Sequence, residues 1–169
     1  QVCLPAPNGA LCATASATIT VNAGTLAAIN DDFSATPINP ITGGATTSVL
    51  ANDALNGSTP PAMADVLLSL QGAPAGVAIT AEGAVTVAPG TAAGVRNVTY
   101  QLCEAAAPAN CAVATVRLVI APSAVDDALS TPVGQALNSS VATNDNAPVG
   151  ALFTVVGTAP AGVVLGPDG

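Results

Sequence analysis

The sequence predicts an all-β protein built as β-sandwich domains in tandem, with partial domains at both ends of the chain. Three observations predict this. The chain repeats itself at domain length, its apolar residues fall in short runs set off by Gly and Pro, and no stretch keeps a helical period with capping signals. Half of the 169 residues are hydrophobic, but much of that is Ala and Val, and aromatics make up only 2%. Strand-rich, Gly/Pro-punctuated chains build thin sandwich cores from such residues.

The repeat is legible by eye. VCLPAPNGALCATASATITV at residues 2–21 is echoed by LCEAAAPANCAVATVRLVI at residues 102–120. Asp31-Asp32 returns as Asp126-Asp127, SVLAND at 48–53 returns as SVATND at 140–145, and APAGV at 73–77 returns at 159–163. Matching pieces lie roughly 86 to 100 residues apart, a domain-sized period rather than a solenoid's. The phase predicts three parts: the C-terminal hairpin of a preceding repeat (1–23), a complete repeat (24–121), and the N-terminal part of a following one (122–169). Such a phase reads as a stretch of a longer array.

Within the complete repeat, strands are expected over Val49–Ala51, 66–70, 77–80, Ala84–Val87, 95–103 and 111–120, each short and β-branched or alternating. Glu82-Gly83 reads as a tight hairpin turn. Pro74-Ala75-Gly76, Pro89-Gly90-Thr91 and Pro108-Ala109-Asn110 are further punctuation. About seven strands in about 97 residues is the strand count of an immunoglobulin-like sandwich. The joints at 21–24 and 121–123 are short, so neighbouring domains should stack end to end with limited swing.

The four cysteines fall in register with the repeat. Cys3 and Cys12 are separated by eight residues, Cys103 and Cys111 by seven, and no His is present to complete a zinc site. In residues 13–21, Ala15, Ala17, Ile19 and Val21 alternate with Thr14, Ser16, Thr18 and Thr20, and Cys12 belongs to the polar series. Val98, Tyr100 and Leu102 share one side, which leaves Cys103 on the other, and Val116, Leu118 and Ile120 likewise oppose Cys111. Both members of a pair therefore point to solvent from adjacent strands. That suits a disulfide stapling the last hairpin, worth about 2–3 kcal/mol by the chain-entropy model; the alternative is two pairs of free thiols. A disulfide in each repeat implies an oxidising, extracellular compartment.

Charge narrows the function. Arg96 and Arg117 are the only basic residues against ten acidic ones, for a net charge of −8. Nucleic acid and anionic membranes need Lys/Arg clusters, so neither is an expected partner. The apolar run at 113–121 is broken by Thr and Arg and is far too short to span a bilayer. No leader heads these residues, so an exported protein would carry its signal outside them. Without His there is no triad, and the chain holds neither a Cys–His pair nor a phosphate loop. Asp31 and Asp32 are adjacent and so alternate in direction on an extended strand, which suits structural duty better than acid/base work. The chain is expected not to be an enzyme.

The acidic pair, then Val-Leu-Ala-Asn-Asp at 49–53, a Pro-Ala-Gly-Val turn, Val-Thr-Val-Ala-Pro-Gly-Thr at 85–91 and the closing Val-Thr-Tyr-Gln-Leu-Cys at 98–103 together resemble a known pattern. It is that of the tandem bacterial Ig-like and cadherin-like repeats of large surface adhesins and extracellular fibrils, and the resemblance covers essentially the whole chain. It implies a secreted or cell-surface stalk or filament in which such repeats are spacers, with neighbouring repeats of the same chain or identical chains in a fibre as partners. Two alternatives stand beside the spacer. One is a filament subunit polymerised by β-strand complementation between chains. The other is a calcium-dependent adhesive domain.

The resemblance also brings chemistries to test. Calcium would draw on Asp31, Asp32, Asn52 and Asp53, and in the next repeat on Asp126, Asp127, Asn144 and Asp145, as hard oxygen ligands. The competing reading is that Asp31 and Asn52 cap turns through side-chain to backbone bonds. No cofactor is otherwise required, and Lys–Asn isopeptide bonds are excluded because the chain has no Lys. Glycosylation sequons start at Asn56, Asn97 and Asn138. Binding patches expose aromatics or Arg, and only Phe33, Tyr100, Phe153 and two Arg exist here, which favours a spacer surface. Tyr100 has core-side parity, with a tyrosine-corner role as its other reading.

Overall fold

The computed structural model describes residues 1–5, 7, 11–20 and 22–169. Among them the regular structure is β-strand and two 3₁₀ turns, and no helix is long and apolar enough to cross a membrane. In chain order the strands are β1 (Val2–Cys3), β2 (Cys12–Ala13), β3 (Leu26–Ala27), β4 (Asp31–Asp32), β5 (Gly44–Ser48), β6 (Ala54–Leu55), β7 (Val66–Gln71), β8 (Val77–Ile79), β9 (Ala84–Val87), β10 (Gly94–Glu104) and β11 (Ala107–Ile120). They form a four-stranded sheet ordered β4-β11-β10-β7, a three-stranded sheet β5-β9-β8, and the two-stranded pairs β3-β6 and β1-β2.

The fold rests on β10 and β11, whose alternation is the strongest in the sequence. They pair antiparallel from Gly94↔Ile120 to Cys103↔Cys111. Val98, Tyr100, Leu102, Val116, Leu118 and Ile120 point inward and are 0–2% exposed. Across from them, Val85 and Val87 of β9, Val77 of β8, and Val49 and Leu50 complete one hydrophobic cluster shared by the two larger sheets. Each fully buried Val or Leu contributes about 1.5–3 kcal/mol. With so few aromatics the core depends on many small contacts rather than a few large ones.

Several expected elements are present: β7, β8, β9, β10 and β11 cover the predicted strands. The Glu82-Gly83 turn forms too. Gly83 N–H donates to the Thr80 carbonyl at 3.0 Å, Thr80 N–H donates to the Ala84 carbonyl at 2.9 Å, and Gly83 has φ +85°. A side chain there would be strained and would run into the Ser48 hydroxyl.

Others differ for identifiable reasons. Val49–Ala51 is a 3₁₀ turn, not a strand, because the Ser48 hydroxyl caps it by accepting from Leu50 N–H at 3.2 Å and Asp53 N–H closes it onto the Leu50 carbonyl. Pro108-Ala109-Asn110 lies inside β11, and the turn falls at Ala105 and Ala106, which lets Glu104 pair with Ala107. The strand expected over 13–21 is paired only at Cys12–Ala13; beyond it Ala15, Ala17 and Ile19 are exposed, and Val21 lies outside the described residues. Alternation alone does not make a strand where no partner sheet covers the apolar side.

The chain enters and leaves the core-bearing region at opposite poles. Gly24 N–H donates to the Glu104 carboxylate at 2.7 Å and Asn110 Nδ2 donates to the Gly24 carbonyl at 2.8 Å, both beside the β10–β11 hairpin tip. At the far end of β11, Ala121 N–H donates to the Ile38 carbonyl at 2.9 Å. The ten steps from Asn110 to Ile120 span about 34 Å of strand. Residues 122–169 then carry turns and a single bridge, Ser123↔Asn146, with no buried residue.

Candidate functional site

The polar centre of the molecule is the turn that follows β5. The Ser48 hydroxyl, which caps it, also donates to the Glu82 carbonyl at 2.7 Å, and Val49 N–H donates to Gly83, so the turn is tied to the β8–β9 hairpin. This brings Asp53 into the core at 0% exposure. Its Oδ1 accepts Ile29 N–H at 2.7 Å. The Tyr100 hydroxyl, reaching down from β10, lies 3.0 Å from Oδ1, 2.9 Å from Oδ2 and 3.0 Å from the Ile29 carbonyl. A phenol has one proton to give, and a buried carboxylate is its strongest acceptor here. The bond spans 47 residues and ties to a side chain just after the Val49–Ala51 turn, so it is not the local backbone bond of a tyrosine corner.

Asp31 shares this centre. Burial, and then the neighbouring charge of Asp53, raise its pKa from 3.8 to about 6, against the pull of Tyr100 and Asn52. Asp53 is raised by burial, opposed by the Ile29 N–H and Tyr100 bonds. Tyr100 is pushed up by burial and by Asp53. Asp32 goes the other way, as expected for its neighbour on a strand. It is exposed, accepts Ser34 N–H at 2.8 Å and faces Arg117 at 3.6 Å, and the bonds from Ser34 hold its pKa below the usual value.

The donor set does not fit a calcium cage. Asp53 is occupied by Ile29 and Tyr100, and Asp32 faces away. Asp31 Oδ2 and Asn52 Oδ1 are buried without hydrogen-bond partners, and two oxygens fall well short of the roughly six to eight that calcium takes. Among the described residues no three His, Cys, Asp or Glu side chains converge on a common point. Asn52 instead acts as a turn residue, with Nδ2 donating to the Asn30 carbonyl at 3.3 Å. Asn30 in turn accepts Thr115 N–H of β11 at 2.8 Å.

The same bonding restarts downstream. Ser140 Oγ accepts Ala142 N–H at 3.1 Å, Asp145 N–H donates to the Ala142 carbonyl, and Asp145 Oδ1 accepts Val125 N–H at 2.8 Å. Asn144 Nδ2 reaches the Val125 and Asp126 carbonyls at 3.4 and 3.3 Å. The Ala27↔Ala54 pair is matched by Ser123↔Asn146. These bonds align Ile29 with Val125, so the echo of Asp31 is Asp127 and that of Asp32 is Ala128. The register read from the two acidic pairs is therefore off by one. The reason is that Asp31 faces inward and Asp32 outward, where Ala serves as well. Asp126 and Asp127 are exposed, and nothing in 122–169 takes the place of Tyr100.

The cysteines pair as hairpin staples. Cys3–Cys12 and Cys103–Cys111 are cross-strand disulfides, with Cα atoms 4.0 and 4.1 Å apart, the first on two short exposed strands and the second on the face of β10 and β11 opposite the core. Of the sequon residues, Asn97 and Asn138 are exposed without other duty, whereas Asn56 Oδ1 accepts Thr25 N–H at 2.9 Å and its backbone is left-handed at φ +53°. The groove between Thr36, Ile38, Asn39 and Gly44 offers no acid, base or thiol to a substrate. Sequence reasoning missed the Tyr100–Asp53 pair. The signal was present in part: Tyr100 had core parity, and a buried phenol needs a partner. Compared with known proteins, the chain matches no family model and no curated protein.

Proposed function

We propose that the chain is a structural repeat segment of a secreted or cell-surface multidomain stalk of the bacterial adhesin type, in which immunoglobulin-like sandwiches act as spacers. The observation that carries the reading is the polar arrangement of the chain: it is tied at Gly24 to one end of β10–β11 and at Ala121 to the other, about 34 Å apart along the strand. The repeated turn starts again directly after that exit. Repeats joined this way string out rather than cluster. The acidic, Arg-poor surface and the stapled hairpins fit a spacer working in an oxidising compartment.

Pulling on the two chain ends in a single-molecule force experiment tests the reading. A spacer should give a discrete unfolding peak for 24–121 with a gain near 28 nm, from roughly 90 freed residues at about 3.6 Å each less the folded span. Smooth extension without a peak would overturn it. Specific, saturable capture of a glycan or host surface would favour the adhesive reading instead.

A further inference from the structure

Asn146 uses both ends of its side chain on a loop more than fifty residues away. Its Oδ1 accepts Ala93 N–H at 2.8 Å and its Nδ2 donates to the Thr91 carbonyl at 2.9 Å. Its backbone exchanges two bonds with Ser123, at 2.9 and 3.0 Å. Only Pro122 separates Ser123 from Ala121, which is itself bonded to Ile38. The receiving loop is braced from its other side. The Arg96 guanidinium donates to the Ala92 carbonyl at 2.7 Å, the Ala93 carbonyl at 3.3 Å and the Val95 carbonyl at 3.0 Å, and Thr91, 8% exposed, donates its hydroxyl to the Ala88 carbonyl at 2.6 Å. Arg96, one of two cations in the chain, is spent on holding this loop.

We propose that the Thr91–Ala93 loop is a socket for the following repeat, and that an Asn at the position of Asn146 is the latch that fixes the angle between successive repeats. The partner is a turn of the same chain bearing a side-chain amide, whose oxygen accepts the Ala93 N–H while its nitrogen donates to the Thr91 carbonyl. The aligned position in the earlier turn is Ala54, which has no such group. The residue at this position therefore sets whether a junction is stiff or free, and an array can mix the two. The use of the latch rests on the spacer reading; the contact rests on the hydrogen bonds alone.

The test compares the full chain with Asn146→Ala, which copies Ala54, and Asn146→Asp, which keeps the acceptor and loses the donor. Residual dipolar couplings should fit one alignment tensor for 24–121 and 122–169 together in the parent. In Asn146→Ala they should need two, and the Ala93 amide should exchange about five- to tenfold faster. Asn146→Asp should fall between. Unchanged couplings within 24–121 show that the core survives each substitution. A parent that already needs two tensors, or an Asn146→Ala chain that keeps one tensor and a protected Ala93, overturns the latch. A single tensor in a chain that extends without a force peak would support the latch and sink the spacer reading, so the two fail separately.

Discussion

The Tyr100 hydroxyl sits within 3.0 Å of both carboxylate oxygens of Asp53, at the point where the β10 strand crosses the turn after β5. Both residues are 0% exposed, so neither can substitute water for the other. Removing the phenol oxygen leaves a buried carboxylate with Ile29 N–H as its remaining hydrogen-bond donor in the structure.

Tyr100→Phe should therefore lower stability by roughly 1–3 kcal/mol, the cost of an unsatisfied buried acceptor. In urea unfolding the midpoint should drop while the slope stays constant. Equal midpoints for the two proteins would mean that this bond does not hold the turn in place.

Asp31 makes the fold sensitive to pH in the direction opposite to an ordinary salt-bridged acid. Its folded pKa, about 6, lies above the usual 3.8, so the folded state binds the proton more tightly than the unfolded state does. That contribution to stability is complete below about 3.8 and is lost as pH rises through about 6. Asp53, raised by burial, acts in the same sense, while Asp32, Glu82 and Glu104 are lowered and act in the other. Asp31→Asn cancels the shared groups out of the comparison. The variant should gain stability relative to the parent between acid and neutral pH, and parallel stability profiles would contradict the assignment.

The two disulfides should differ in consequence although they look alike. Replacing Cys103 and Cys111 together by Ser opens a crosslink of sequence separation 8 beside Leu102, a core residue, and should cost about 2–3 kcal/mol. Replacing Cys3 and Cys12 touches an exposed hairpin and should leave the main unfolding transition where it was. A matching loss from both pairs would show that the N-terminal hairpin packs on the core.

Millimolar calcium should leave the melting temperature unchanged, because two orphan oxygens do not make a cage. A ligand held by the folded state alone stabilises it by RT ln(1 + L/Kd) at free concentration L, so the melting temperature rises with ligand concentration. A rise of several degrees would overturn the count of available donors.

Much of this could be read without coordinates. Strands β9, β10 and β11 were legible because each alternates strongly and each inward residue reaches the core. The staples were legible because Cys103 and Cys111 share the outward parity of their strands. The short pairs β3–β6 and β4–β11 were not, since two-residue strands carry no periodicity and their partners lie far off in sequence. Val49–Ala51 misled because β-branched and apolar residues also fill a buried 3₁₀ turn, and what selects the turn is the cap from Ser48 together with the closing bond of Asp53.

The amino-acid sequence alone determined the all-β class, the repeat, the cysteine pairs and the scarcity of basic residues, all of which are local or compositional properties. Tertiary structure decided which acid faces inward, that Tyr100 finds Asp53 across 47 residues, and that Asn146 reaches the Thr91–Ala93 loop. The reason is physical. Alternation tells which face a side chain takes, but which buried donor meets which buried acceptor depends on how the sheets close around the core.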